Sequence, residues 1–403
     1  MSMLRHANHP GLVLILAGLA AIGPFSVSTY LPAFPEIGAE LGVGMEAVQE
    51  SLSLYMLTFS LMTLLHGSLS DSLGRKRVIL FGLFAYTLAS VGCAFANSIE
   101  MLWTMRIVQG LFAGAGMVVS RAIVRDLYVG SDAQRMMANV AVMFAIAPAV
   151  APIIGGWVLY LFDWRAIFYF VAVTSGIMFV VCWFYLPESL PPEKRHPFAL
   201  KQLFRNYIKI FSSASFVRLS LCISASFGGV FLYVLSAPVF IREHLGLGET
   251  DFYWLFVPGT IGMMIGSWIS GRIAGNWDSR NALWLAFLLM GISALGNLFI
   301  SEVRPDSLWI TVSPFLVYNI GVAIAMPTIT LLALDLFPDN RGMASSCQSA
   351  IHTMFNVLIS SFLVPFLWHS RMGLALGMLG LCVLGLCLMG RGRGGFSQNS
   401  KNS

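Results

Sequence analysis

The sequence predicts an all-α polytopic membrane protein, and three observations carry that expectation. The chain of 403 residues is 57% hydrophobic and 11% charged, with a mean hydropathy of +0.78, whereas about a quarter of a soluble globular protein is charged. Its apolar residues form continuous runs, long enough for the roughly 20 residues that a hydrocarbon core of about 30 Å demands of a helix. Those runs do not alternate in polarity, as the short strands of an outer-membrane barrel would.

Twelve spans follow in order: residues 11–34, 47–69, 78–96, 101–124, 136–159, 166–186, 215–241, 252–274, 281–301, 308–333, 343–368 and 372–390. The first includes AAIGPFSVSTYLPAFPEI, which is apolar at its edges but holds Ser26, Ser28, Thr29 and Tyr30 and has no charge before Glu36. The second ends in the loop GSLSDSLGRKRV, which leads into the third. The fourth carries LWTMRIVQGLFAGAGM, with Arg106 about 8 Å inside it at 1.5 Å per residue. An intramembrane arginine is costly and marks a functional site by default. The fifth holds APAVAPIIGG, where Pro148 and Pro152 kink the helix and Gly155 and Gly156 admit a close neighbour. Between the sixth and seventh spans runs a linker rich in proline and basic residues, and the remaining spans follow with mostly short loops.

The layout predicts two pseudo-symmetric six-helix halves, 1–186 and 215–390, joined by a cytoplasmic linker 187–214 and followed by a tail 391–403. Internal similarity agrees with it. Asp126-Leu127-Tyr128 after the fourth span corresponds to Asp335-Leu336-Phe337 after the tenth, and Arg135-Met136-Met137-Ala138 to Arg341-Gly342-Met343-Ala344. Matching elements in matching loops indicate a parallel repeat.

Most of the 24 Lys and Arg residues fall on one set of alternate loops, while Arg165, Arg242, Arg304 and Arg371 fall on the other. By the positive-inside rule both termini are cytoplasmic, so the basic clusters set topology and do not imply nucleic-acid binding. The first apolar run is too long for a signal peptide and has further spans behind it. All six cysteines lie in apolar spans without CxxC spacing, which implies neither disulfides nor a metal site.

Three motifs carry the mechanism. In GSLSDSLGRKRV, Gly67 permits close helix approach, and Asp71, Gly74 and Arg75 have the spacing of a gate latch at the membrane edge. The corresponding loop of the second half, GRIAGNWDSRN, keeps Gly271 and Arg280 but moves the carboxylate to Asp278. Arg106-x-x-Gln109-Gly110 and the Pro148, Pro152, Gly155, Gly156 seam are the other two. Together they resemble the signatures of the major facilitator superfamily, the last being its antiporter signature. With TYLPAFPEI, SRAIVRDLY and DWRAIFYF they look like the bicyclomycin-resistance (Bcr/CflA) type of drug:proton antiporter. The resemblance covers nearly the whole chain. It implies the major facilitator fold with 12 transmembrane helices and efflux of small amphipathic compounds across the bacterial inner membrane, driven by proton antiport.

One departure bears on coupling. That subfamily usually reads Asp-Met-Tyr-Leu-Pro-Ala in the first helix, and here the aspartate's place is taken by Ser28. The remaining proton-coupling candidates are Glu36, Glu50, Arg106 and His352. If the helix persists through Pro32 and Pro35, Glu36 lies about 10 Å beyond Thr29 on the same face. The expected substrate cavity draws on Ser28, Tyr30, Arg106, Gln109, Phe227, Tyr233, Tyr318, Asn319 and His352. No catalytic residue, metal or cofactor is expected. The expected partners are a small-molecule substrate, protons and the lipid bilayer, in a monomer. Two further readings stand beside drug efflux: a dedicated exporter of a cell-made metabolite, such as a siderophore or amino-acid derivative, and, remotely, a membrane-embedded enzyme.

Overall fold

The computed structural model describes residues 10–128, 130–195, 200–274, 276–303 and 306–390. The expected tail 391–403 lies outside these residues, as do Arg5 and Arg304. Among the described residues the regular structure is helical throughout, and ten helices are long and apolar enough to cross a membrane. The chain divides into two compact units, Met1–Leu200 and Lys201–Ser403, and the division falls inside the expected linker.

In the first unit α1 (Pro10–Tyr30) gives way to a 3-10 turn at Leu31–Ala33 and then to α2 (Phe34–Leu41). The expected span 11–34 therefore tightens into a 3-10 turn at Pro32, which withholds a backbone donor, while the backbone stays helical on both sides of it. The helical path runs on from Gly11 to Leu41, and Glu36 lies in its last part, α2. There follow α3 (Met45–Leu73), α4 (Arg75–Ala94), α5 (Ile99–Leu127), α6 (Gly130–Leu161) and α7 (Trp164–Tyr185). Their starts are chemically marked: Ser98 and Asp163 cap α5 and α7 by accepting from Met101 N–H and Ala166 N–H. The core of this unit joins Leu16 and Leu19 of α1, Ile79 and Leu83 of α4, Val119 and Ile123 of α5 and Cys182 of α7.

The second unit opens with α8 (Leu200–Phe211), a short helix within the stretch read as linker. The seventh span is α9 (Ala214–Leu235), followed by α10 (Ala237–Val239) and one π-helical turn to His244. Next come α11 (Tyr253–Ile273), α12 (Ser279–Val303) and α13 (Leu308–Leu334). The eleventh span is α14 (Arg341–Leu358), a π turn at Ile359–Leu363, and α15 (Val364–Leu367); α16 (Arg371–Gly390) completes the unit. Helix α13 packs on α9, α11 and α12, and α9 packs on α14 and α16.

Candidate functional site

The first unit holds two polar arrangements. One lies at the junction of α3 and α4. Gly74 adopts φ 102° and ψ 147°, a conformation that side chains other than hydrogen strain to reach. This turn delivers Arg75 as the first residue of α4, and its guanidinium is nearly buried. Its Nη1 pairs with Asp71 at 2.6 Å and its Nε with Asp126, at the end of α5, at 3.0 Å. Nη1 also donates to Ser70 Oγ at 2.6 Å. The backbone N–H of Arg75 donates to Glu188 Oε1 at 2.9 Å, and Glu188 pairs with Arg195 at 3.6 Å. Ser189 Oγ donates to the same Asp126 oxygen at 2.9 Å. The spacing of Asp71 and Arg75 foreshadowed one ion pair; Asp126, Glu188 and Arg195 reach it from distant sequence.

The matching loop of the second unit is built differently. Asp335, the counterpart of Asp126, pairs with Arg341 a few residues on, at 2.7 Å, with both side chains exposed.

The other arrangement surrounds Arg106, which is fully buried. Its guanidinium lies between the rings of Tyr30 and Tyr55, at 4.7 and 4.3 Å from their centroids, with Phe168 at 6.0 Å. Cation–π contacts strengthen when desolvated as here. Nη1 donates to Gln109 Oε1 at 2.6 Å and to Ser26 Oγ at 3.4 Å. Gln109 Nε2 in turn donates to Ser90 Oγ at 2.8 Å, and Ser90 donates to Tyr86 O at 2.8 Å. The tyrosine hydroxyls point to other partners. Tyr55 OH donates to Gly23 O at 3.1 Å. Ser51 gives its own proton to Val48 O at 2.7 Å, so in the 2.8 Å contact of Tyr30 OH with Ser51 Oγ it is Tyr30 that donates. Two donors of Arg106, Nε and Nη2, have no hydrogen-bond acceptor among the described residues. Among the described residues no ion pair includes Arg106.

Of the other expected residues in this unit, Ser28 is buried beside this cluster's Ser26 in α1. Gly155 of α6 abuts α1: a Cβ there would lie 2.1 Å from Thr29 O. Pro152 and Gly156 are buried and Pro148 is half-buried. Gly67 faces Val118 across an ordinary contact. Glu36 accepts from Trp164 N–H at 3.3 Å. Glu40 accepts from Trp164 Nε1 at 2.6 Å and pairs with Arg165, so the DWR start of α7 is tied to α2. Glu50 is half-buried on α3. Buried His66 of α3, beside Gly114, was not foreseen, because a lone histidine near a span end carries no pattern.

In the second unit the expected residues fall into three places. Tyr233 OH accepts from Asn297 Nδ2 at 2.7 Å, with Phe315 edge-on at 4.6 Å. Tyr318 is buried under Gly229, and Asn319 Nδ2 is spent on Phe315 O at 2.7 Å. Phe227 lies 5.0 Å from the ring of His352, whose Nδ1 has no hydrogen-bond partner among the described residues.

Comparison with known proteins agrees with this architecture. The chain is 28% identical to a bicyclomycin resistance protein homolog of Haemophilus influenzae, over 92% of this chain and 93% of that one. It is 30% identical to an uncharacterized MFS-type transporter, YdgK, of Bacillus subtilis, over 88% and 87% of the two chains. The solved structure of a D-xylose-proton symporter superposes with a TM-score of 0.73 at 13% identity, covering 93% of this chain and 96% of that one. The model of the Major Facilitator Superfamily matches residues 16–365, and the chain belongs to that family of membrane transporters.

Proposed function

We propose that this chain exports small amphipathic compounds, drugs among them, across the bacterial inner membrane by alternating access, with cargo leaving as protons enter. The observation that carries the reading is the Arg106 cluster: a fully buried cation in a membrane-spanning helix, with polar neighbours but no ion pair among the described residues. An intramembrane charge without a structural counter-charge belongs to a transport path by default. Relatives named for resistance to bicyclomycin and to multiple drugs support export as the direction. The Asp71–Arg75–Asp126 network is assigned as a latch at what the charge bias makes the cytoplasmic end, and the same bias assigns both termini to that side. Family membership supports a transporter and not an enzyme.

Substrate contacts are assigned to Ser28, Tyr30, Arg106 and Gln109 in the first unit. In the second they are assigned to Phe227, Tyr233, Tyr318, Asn319 and His352. The coupling proton is assigned to Glu36, Glu50 or His352, with Arg106 modulating it. The test is reconstitution in proteoliposomes with bicyclomycin and chloramphenicol as cargo, reading proton release on cargo addition. Transport that ignores the proton gradient defeats antiport; no movement of either compound defeats drug efflux. Replacing Glu36, Glu50 and His352 singly by Gln identifies the carrier as the variant that transports without proton release.

A second reading, a dedicated exporter of one cell-made metabolite, is favoured by Ser28, which stands where the subfamily the chain resembles usually has an aspartate. A site without its own carboxylate suits a narrower cargo.

A further inference from the structure

We infer that the Nε–Nη2 edge of Arg106 is a seat for a planar oxyanion, so that among the compounds this transporter takes, those carrying a carboxylate or an equivalent group bind more tightly than their neutral counterparts. The inference rests on the transport reading and names the chemistry of its substrate.

The guanidinium of Arg106 has two faces and two donor edges to satisfy. Tyr30 and Tyr55 cover the faces. Nη1 is taken by Gln109 and Ser26. The groups that hold it are themselves committed elsewhere: Gln109 to Ser90, Tyr30 to Ser51, Tyr55 to Gly23 O. What is left is Nε and Nη2, buried and without an acceptor. These two N–H groups lie side by side and parallel, the geometry that takes both oxygens of a carboxylate at once. Arginine cannot relieve the deficit by losing its proton, and burying an unpaired charge is costly. The two carboxylates of α2 are engaged with the start of α7, Glu36 with Trp164 and Glu40 with Trp164 and Arg165. The rings also exclude the opposite class of cargo: their electron-rich faces are already turned to a cation, and a second cation would meet Arg106 first. The site is built as a counter-charge in search of an anion.

The experiment uses the purified full chain and three probes that share one ring system: 1-naphthoate, 1-naphthamide and 1-naphthylmethylammonium. Their affinities are read by titration calorimetry and their movement by counterflow in proteoliposomes. The expected result is naphthoate binding at least about tenfold tighter than the amide, with the ammonium weakest. In Arg106→Gln the ratio of the two affinities falls to about one. Because that variant can fail to fold, Gln109→Glu is measured beside it; the new carboxylate neutralises Arg106 from within, keeps its packing, and lowers the ratio in the same way. Glu50→Gln tests an internal occupant: a rise in naphthoate affinity as large as the naphthoate preference itself would assign the edge to Glu50 and overturn the inference. Nitrate stabilising the protein as fully as naphthoate would make the seat one for a free inorganic anion and overturn the assignment to cargo. Equal binding of acid and amide, tighter binding of the ammonium, or no binding of any probe also overturns it. The transport reading fails separately, when naphthoate binds preferentially but no probe moves; movement of the amide or ammonium without naphthoate spares transport and removes the seat.

Discussion

The backbone N–H of Arg75 donates to Glu188 Oε1 at 2.9 Å, joining the α3–α4 turn to a residue 113 positions later in the chain. Glu188 and Arg195 stand directly over Gly74, where a Cβ would lie 2.6 Å from Glu188 Oε2 and 2.7 Å from Arg195 Nη2. The segment after α7 is thereby part of the ion-pair network around Arg75 and not a free tether.

Gly74→Ala forces a side chain into a backbone region that costs on the order of 1–3 kcal/mol, in addition to displacing the ion pair above it. Thermal melts of the solubilised protein are expected to show that loss. The double variant Gly74→Ala/Glu188→Ala is expected to lose less than the sum of its singles by more than about 0.5 kcal/mol. Simple additivity would mean that Glu188 does not cover the glycine.

Gly155→Ala places a methyl group against the carbonyl of Thr29 and pushes α6 off α1. Overpacking of this kind costs about 1–3 kcal/mol. Gly271→Ala, with nothing within 4 Å of the new carbon, is the control; it is expected to hold or raise stability, by up to about 1 kcal/mol. Melting midpoints of the two variants check the contrast, and a neutral Gly155→Ala would deny the close approach.

The hydroxyl pair of Tyr30 and Ser51 gives an ordered prediction. Tyr30→Phe leaves Ser51 still donating to Val48 O and costs about 0.5–1.5 kcal/mol. Ser51→Ala leaves the Tyr30 hydroxyl buried without its acceptor and costs more, about 1–3 kcal/mol. Equal losses, or a larger one for Tyr30→Phe, would reverse the donor assignment.

His244, beyond the end of α9, has its pKa lowered by burial, partly offset by its 2.7 Å bond to Trp368 O. The folded protein therefore holds this imidazole neutral more firmly than the unfolded chain does. Its contribution to stability is complete above the unfolded value of about 6.5 and declines as pH falls below it toward the lowered folded value. The melting midpoint is expected to drop on acidification through that window. His244→Gln should flatten this part of the profile; an unchanged slope would assign the effect to another group.

Much of the fold was legible because a membrane helix must satisfy its own backbone and therefore announces itself by length and apolarity. The spans lie within a few residues of the helices for that reason. The 3-10 turn at Leu31–Ala33 and the π turns after Val239 and Leu358 were not, since apolarity does not distinguish one hydrogen-bond register from another. In the site, Asp71 with Arg75 could be read because four residues make one turn, and Arg106 because its charge is out of place. Its partners could not: Tyr30, 1% exposed, lays its ring over Arg106, a pairing that the sequence does not record. Which aromatic meets which cation is decided by helix rotation, and no local spacing records that.

The setting of Arg106 also has an order in time. Ser26, Tyr30, Ser51, Tyr55 and Ser90 all precede it in the chain, and synthesis proceeds from the N-terminus. An arginine within a membrane helix resists entry into the bilayer, by up to about 2.5–3.5 kcal/mol at the helix centre. When α5 leaves the ribosome, the two rings that will flank the guanidinium and the hydroxyl chain that anchors Gln109 are already within the membrane. Only Phe168 arrives afterwards. A rearranged gene that moved α5 ahead of α1 and α3 would ask the same residue to enter lipid bare. The cradle is made before the charge.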